Sequence, residues 1–404
     1  QNRIKLENLH DTHELQSYFI KRVEKFLNKK GRQLIGWDEI LEGGLAPSAT
    51  VQSWRGMEGG IAAAKESHQA IMSPTSHCYF DYGLDAIDLQ KVYSFEPIPH
   101  GLTEEQASFI IGGECNMWTE HVPQEKVDYK VFPRILAMSE VLWSSSKKDY
   151  AEFYTRVQNH YPKLEAMGVD YGYESVPINS MVEWDNKSFK VHLSSGSPNV
   201  DIEYQIDNDK WESYKQPFYL RKSGKISAKG YKNDKPYGKF HQSLYLTKST
   251  SMPVKYLTPY HENYPGKGRS SLTDGLVGSS DNFRDGYWQG FFGEDLDVIV
   301  DLGSKKEFSE IITGFFQYNL SWIMLPKSIN YYVSEDGKNF TLIKKELNTV
   351  SARKEGKFRK EFRVKTKQDA RYVKIKAYNY GLLPDWHPAT GSKSWLFADE
   401  IRIE

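Results

Sequence analysis

Four short apolar segments lie between residues 33 and 115, each followed by a helical or turning stretch. This alternation constrains the fold more than any other feature of the sequence. Residues 33–36, 49–53, 70–73 and 110–115 read as short buried strands, the first two ending at Trp37 and Trp54. Residues 13–30 read as an amphipathic helix carried by Leu15, Phe19, Val23, Phe26 and Leu27 and stopped at Gly31. Residues 57–67 form a helix of small residues, and 103–109 turn the chain into the fourth strand. Residues 133–143 form a helix with Pro133 at its first position and Ile135, Leu136 and Leu142 facing inward. Strand-helix units of this kind build a parallel sheet with covered faces. Four strands do not close a β/α barrel, which takes eight, so the fold is either an open sheet or a barrel whose first half lies upstream of Gln1. The chain enters a helical pattern almost at once, and a segment is expected to precede it.

Near residue 175 the texture changes. Residues 182–248 carry alternating runs such as 188–193 and 200–206, broken by Asn, Asp, Gly and Pro, which predicts a small antiparallel sandwich. A Pro- and Gly-containing linker, 258–268, leads to a larger all-β region with strand candidates at 296–302, 328–333, 358–364, 371–377 and 396–403. No internal repeat or low-complexity tract interrupts this order.

Composition narrows the function. Lys and Arg total 53 and Asp and Glu total 53, so no global field attracts a polyanion, and nucleic acid is not expected as a partner. The aromatic share of 14% suits either β-sheet cores or the apolar faces of sugars. Cys78 and Cys115 are too few to staple small modules and read as two buried thiols. No apolar run is long enough for a transmembrane helix.

In a parallel barrel, side chains just past the C-terminal ends of the strands line one shared pocket. Here those positions hold Trp37, Trp54, Tyr79, Asp81, Trp118 and Glu120. Taken singly, each has an ordinary alternative, since a Trp usually packs in a core and a loop Glu is usually solvated. Their recurrence at four successive strand ends favours a monosaccharide site, with indoles against C–H faces and carboxylates accepting from hydroxyls. A buried hydrogen bond to a charged group is worth about 1.5–3 kcal/mol, so loss of Asp81 or Glu120 is expected to weaken binding by about one to two orders of magnitude.

The segments Leu34-Ile35-Gly36-Trp37-Asp38-Glu39, Val51-Gln52-Ser53-Trp54-Arg55-Gly56, Cys78-Tyr79-Phe80-Asp81 and Gly113-Glu114-Cys115-Asn116-Met117-Trp118-Thr119-Glu120 resemble successive strand-end motifs of glycoside hydrolase family 20, the β-N-acetylhexosaminidases. The resemblance covers about residues 1–165. It implies a (β/α)8 TIM barrel, here its C-terminal half (strands 5 to 8). It also implies exo removal of terminal β-linked N-acetylglucosamine or N-acetylgalactosamine with retention, the substrate's own acetamido oxygen being the nucleophile. On that resemblance Trp37, Trp54 and Trp118 wall the sugar pocket, and Tyr79 is the catalytic hydroxyl that donates to the acetamido oxygen. Asp81 and Glu120 bind the outer hydroxyls. No cofactor is implied for catalysis.

The sequence departs from the family at its centre. The family's His-x-Gly-Gly-Asp-Glu segment, which holds the general acid Glu and its partner Asp, does not occur, and an arginine from an earlier strand is absent too. Asp38-Glu39 stands beside the pocket but follows the fifth-strand Trp37, so both residues are expected to be structural or supporting. The acid is expected upstream, and the 404-residue chain alone is expected to be inactive. Glu114 is expected to be a buried hydrogen-bonded partner. His77, His100 and His121 match no zinc spacing and read as loop histidines, His121 lying where a subsite beyond the cleaved bond would fall.

Three domains follow from this reading: 1–175, the half barrel; 176–250, similar to a small fibronectin- or immunoglobulin-like β-sandwich; and 260–404, similar to a discoidin-like (F5/8 type C) β jelly roll of the kind that serves as a carbohydrate-binding module. The last rests on Leu272-Thr273-Asp274-Gly275, Gly286-Tyr287-Trp288-Gln289-Gly290-Phe291, residues 329–337 and Ala398-Asp399-Glu400-Ile401. It implies a structural calcium with Asp274 and Glu400 as carboxylate ligands. Trp322, Trp386, His387 and Tyr318 fall in loops where they either form a sugar platform or pack inward. The expected partners are glycans with terminal N-acetylhexosamine, and family habit places such a protein in the periplasm or outside the cell. A catalytically silent carbohydrate-binding protein stays open as the alternative, whereas a purely structural adhesion protein is hard to square with six pocket-type residues at strand ends.

Overall fold

The computed structural model describes residues 1–120, 122–144, 148–185 and 187–404, which form two compact units. One holds residues 1–177 with 195–200, and the other holds 178–194 with 201–404. The sandwich-like and jelly-roll-like segments therefore share one unit.

The first unit is built on a parallel sheet, β1 (Ile35–Trp37), β2 (Thr50–Ser53), β3 (Ala70–Met72) and β4 (Ile110–Gly113), ordered β1-β2-β3-β4. In register, Trp37 lies beside Gln52, Gln52 beside Ile71, and Met72 beside Gly113. The helix Thr12–Lys29 precedes β1. Asp11 caps it by accepting from the Glu14 amide at 2.9 Å, and Gly31 at φ +64° carries the chain out. Val51 and Ala70 pack with Leu34 and Ala63 in one core, the larger Val51 and Leu34 each contributing about 1.5–3 kcal/mol. The helix Glu58–Lys65 presses close to the sheet, since a Cβ on Gly60 would meet Met72 Sδ at 2.3 Å. Ile35 in β1 and Ile111 in β4, the two edge strands of this sheet, are 54% and 51% exposed.

The helix after β4 runs Arg134–Trp143, with Pro133 in the cap position and not at the first helical position. Its fully buried residues are Arg134, Ala137, Met138 and Val141, while Ile135, Leu136 and Leu142 are only partly buried. The inward face is thus set about one residue away from the expected one. A further helix, Tyr150–Ala166, buries Phe153 and Val157, the former stacked on Tyr93 at 4.3 Å.

The second unit is antiparallel. Strands β5 (Asn179–Asp185), β6 (Ser188–Ser194) and β9 (Phe218–Leu220) form one small sheet. Strands β7 (Val200–Ile206), β8 (Glu212–Ser213), β10 (Gly224–Lys232) and β11 (Lys235–Leu244) form another. The large sheet is ordered β13-β18-β14-β17-β15-β16, with β12 also pairing β14. Its strands are β12 (Val254–Tyr256), β13 (Gln289–Phe292), β14 (Leu296–Gln317), β15 (Ser328–Ser334), β16 (Thr341–Leu347), β17 (Phe358–Tyr378) and β18 (Trp395–Ile403). Because β12 belongs to this sheet, the sheet begins before residue 258 and the expected linker is an internal connection. One predicted pair of strands fuses and one strand lengthens: 358–364 and 371–377 are parts of the single β17, and 296–302 is the start of β14, with which β17 pairs through register shifts near Asp301 and Phe308. These two strands and β18 feed one core, Leu296, Val298, Val300, Ile311 and Phe315 of β14 packing with Ile375 of β17 and Ile401 of β18.

Candidate functional site

At the C-terminal ends of β1 to β4 the chain brings four aromatic rings together. Trp37 meets Trp54 edge-on at 6.5 Å and Trp118 at 6.0 Å, and Trp54 meets Tyr79 at 6.4 Å. With Glu39 and Glu120 they line a cavity of about 340 Å³, room for one sugar ring. Tyr79 reaches the cup because residues 78–80 run beside Asn116. The Asn116 amide donates to Cys78 O at 2.8 Å and the Phe80 amide donates to Asn116 O at 2.8 Å, an extension of the parallel pairing of β3 and β4. Tyr79 is 7% exposed, and burial pushes its phenol up to about 12, against a smaller opposite pull from its hydrogen bond with Trp118. It is therefore a neutral donor throughout the physiological range. Trp118 is 41% exposed and forms the open wall.

Five of the six residues singled out in the sequence, Trp37, Trp54, Tyr79, Trp118 and Glu120, line this cavity; Asp81 does not. Asp81, two residues past Tyr79, is half-buried, and its Oδ1 is shielded and has no donor among the described residues. Burial raises its pKa, amide donors including that of Trp118 lower it, and Glu120 raises it.

Asp38 and Glu39 hold Trp54 in the cup, Glu39 from its wall. Asp38, 2% exposed, accepts from the Trp54 and Arg55 amides at 3.0 and 3.1 Å and from Arg55 Nε at 2.5 Å. Glu39 accepts from Trp54 Nε1 at 2.9 Å while lining the cavity. Sequence reasoning placed both in supporting roles but gave no reason to expect Glu39 on the wall. A 3₁₀ turn, Asp38–Leu41, directly after β1 turns the two carboxylates toward β2.

The remaining candidates are ordinary. Glu114 is exposed rather than buried, because β4 ends at Gly113, and it accepts from Gln52 Nε2 at 2.7 Å. His77 lies 5.6 Å from the Phe95 ring, and burial lowers its pKa to about 4. His100 is exposed, and His121 lies outside the described residues. Cys78 and Cys115 are free thiols, the former buried and raised in pKa by burial. Among the described residues no group of three or more His, Cys, Asp and Glu gathers as a metal site.

In the second unit Asp274 and Glu400 come together. Glu400 is 1% exposed, Oε1 accepts from the Gly275 amide at 3.2 Å, and Oε2 has no partner. Burial raises Asp274 to about 7 and Glu400 well above its ordinary value, each raised further by neighbouring carboxylates. A buried and a partly buried carboxylate, with one oxygen unused, suit a hard cation with oxygen ligands. Of the proposed platform residues, Tyr318 and His387 are buried, His387 Nε2 lying 2.8 Å from Asn319 O. They pack inward. Trp322 stays 37% exposed in a left-handed conformation, and Arg353 lies 5.5 Å over the Trp386 ring.

Parallel strands alternating with helices, and a pocket beyond their carboxyl ends, give the first unit a β/α architecture. Residues 1–146 match glycosyl hydrolase family 20, catalytic domain, and residues 246–396 match the F5/8 type C domain, so the chain carries a segment of each. A β-hexosaminidase of Porphyromonas gingivalis is 45% identical over 185 residues, which is 42% of this chain and 24% of that protein. The β subunit of Homo sapiens β-hexosaminidase is 28% identical over 166 residues, 39% of this chain and 29% of that one. The solved chitobiase of Flavobacterium johnsoniae shares 34% identity over 42% of this chain and 27% of its own, with a TM-score of 0.38. The chain spans about a quarter of the length of the first of these relatives.

Proposed function

We propose that this chain supplies the sugar-gripping half of an exo-acting β-N-acetylhexosaminidase that works with retention. The observation that carries the reading is the cup of Trp37, Trp54, Tyr79 and Trp118 at four strand ends, with Glu39 and Glu120 on its wall. The terminal N-acetylhexosamine stacks on the indoles, and its outer hydroxyls donate to Glu120 on the wall and to Asp81, which is off the lining but whose Oδ1 has no donor among the described residues. The acetamido oxygen attacks C1 as the glycosidic C1–O bond breaks, and the leaving oxygen takes a proton from a glutamic acid upstream of Gln1. Tyr79 donates to the acetamido group and steadies the charge that develops there. Water then opens the oxazolinium ring with net retention. The exclusion of water by three indoles strengthens each of these contacts.

The exposure of Ile35 and Ile111 supports the rest of the barrel as their cover, with 1–175 as its second half. Residues 176–250 act as a spacer and 260–404 as a carbohydrate-binding module in which Asp274 and Glu400 hold a structural Ca²⁺, the whole working in the periplasm or outside the cell. The test is the anomer first released from a β-N-acetylglucosaminide by the longer protein that carries this chain. NMR is expected to show the β product, and an α product excludes the mechanism.

A further inference from the structure

Arg134 is 1% exposed, yet its guanidinium is bound by carbonyl oxygens. Nη2 donates to Phe80 O and, at 2.6 Å, to Lys130 O. Nη1 donates to Ile87 O at 2.8 Å and Tyr82 O at 3.4 Å, and Nε to Lys130 O at 3.0 Å. The charge also lies 4.8 Å from the Phe80 ring. Four residues earlier, Lys130 Nζ donates to Asp81 O at 3.1 Å and Tyr82 O at 3.2 Å. Three successive carbonyls, of Phe80, Asp81 and Tyr82, are thus held by two cations from one segment.

We infer that Arg134, assisted by Lys130, is a positioning residue for the sugar pocket: it fixes the backbone that carries Tyr79 and Asp81, so that hydroxyl and carboxylate meet the sugar at a set distance. A buried cation is costly where packing alone is needed, since an apolar side chain of similar volume fills the space without desolvating a charge. What an apolar residue cannot do is bind successive carbonyls, which a peptide turn presents in only one conformation. The two cations also lie near the Asp81 carboxylate, and their attraction opposes both its burial and the negative charge of Glu120. The inference rests on the hexosaminidase reading.

The test uses the longer protein that carries this chain, with Arg134→Lys and Lys130→Met, a chromogenic β-N-acetylglucosaminide as substrate and free N-acetylglucosamine as inhibitor. A merely structural role reduces the folded fraction, which lowers kcat and leaves KM and the inhibition constant unchanged. A positioning role raises KM and the inhibition constant together, by about ten-fold in Arg134→Lys and a few-fold in Lys130→Met, as expected for a weakened charged hydrogen bond. Should Arg134→Lys fail to fold, Lys130→Met carries the test. Unchanged KM and inhibition constant in the folded variants overturn the inference. An unmodified protein that neither turns over the glycoside nor binds N-acetylglucosamine overturns the functional reading instead.

Discussion

Glu39 Oε2 accepts a 2.9 Å hydrogen bond from Trp54 Nε1, so one of the two carboxylates on the cup's wall is already engaged in setting the plane of an indole. Its neighbour Asp38 takes the Trp54 amide and Arg55. Glu39→Gln keeps an acceptor oxygen at that distance and is expected to retain turnover within about ten-fold, whereas Glu39→Ala raises KM. General acid catalysis is worth about 10²–10⁴-fold, so a collapse of kcat in Glu39→Gln that added azide restores contradicts the supporting role.

Tyr79 is expected to act on the transition state more than on the bound sugar. Tyr79→Phe removes one aimed donor and lowers kcat by about 10²–10³-fold with little change in KM, measured by steady-state hydrolysis. Because burial pushes the phenol up to about 12, Tyr79 contributes no alkaline limb to the rate profile below about pH 10. An activity loss of Tyr79 origin at pH 9, absent in Tyr79→Phe, contradicts this assignment.

The carboxylates of the C-terminal unit give a pH dependence of definite sign. Asp274 is raised from 3.8 to about 7, so between these values the folded state holds more protons than the unfolded one and stability falls as pH rises. In chelator-treated protein the melting temperature of this unit is expected to fall between pH 4 and pH 7. Added Ca²⁺ restores it, more at pH 8 than at pH 5, because the cation competes with protons for the same oxygens. Asp274→Asn removes the Ca²⁺ effect. A Ca²⁺ response that survives Asp274→Asn and Glu400→Gln together contradicts the site.

Much of the first unit was legible because its signals are local. The runs at 49–53 and 70–73 lie within a residue of β2 and β3, since short apolar segments bounded by turn residues leave little freedom. The cup was legible because large aromatics at successive strand ends have few reasons to be there. Arg134 was not, because its partners are backbone carbonyls that leave no trace in residue identity. The helix Tyr150–Ala166 was obscured by Pro162 inside it. The length of β14 and β17 was hidden by the interruption around Gly303, where φ is +79° and the register shifts. For Tyr318 and His387 the sequence left platform and inward packing open, because the contacts that decide are distant in the chain: Tyr318 packs in one cluster with Trp288, and His387 Nε2 lies beside Asn319 O.

The central claim is that this cup reads a 2-acetamido sugar and uses the acetamido group in the reaction. The most direct measurement compares hydrolysis of p-nitrophenyl β-N-acetylglucosaminide and p-nitrophenyl β-glucoside by the longer protein that carries this chain. Turnover of the first and none of the second is predicted, because the glucoside lacks the oxygen that attacks C1. Comparable turnover of both would contradict the account, as would cleavage of neither.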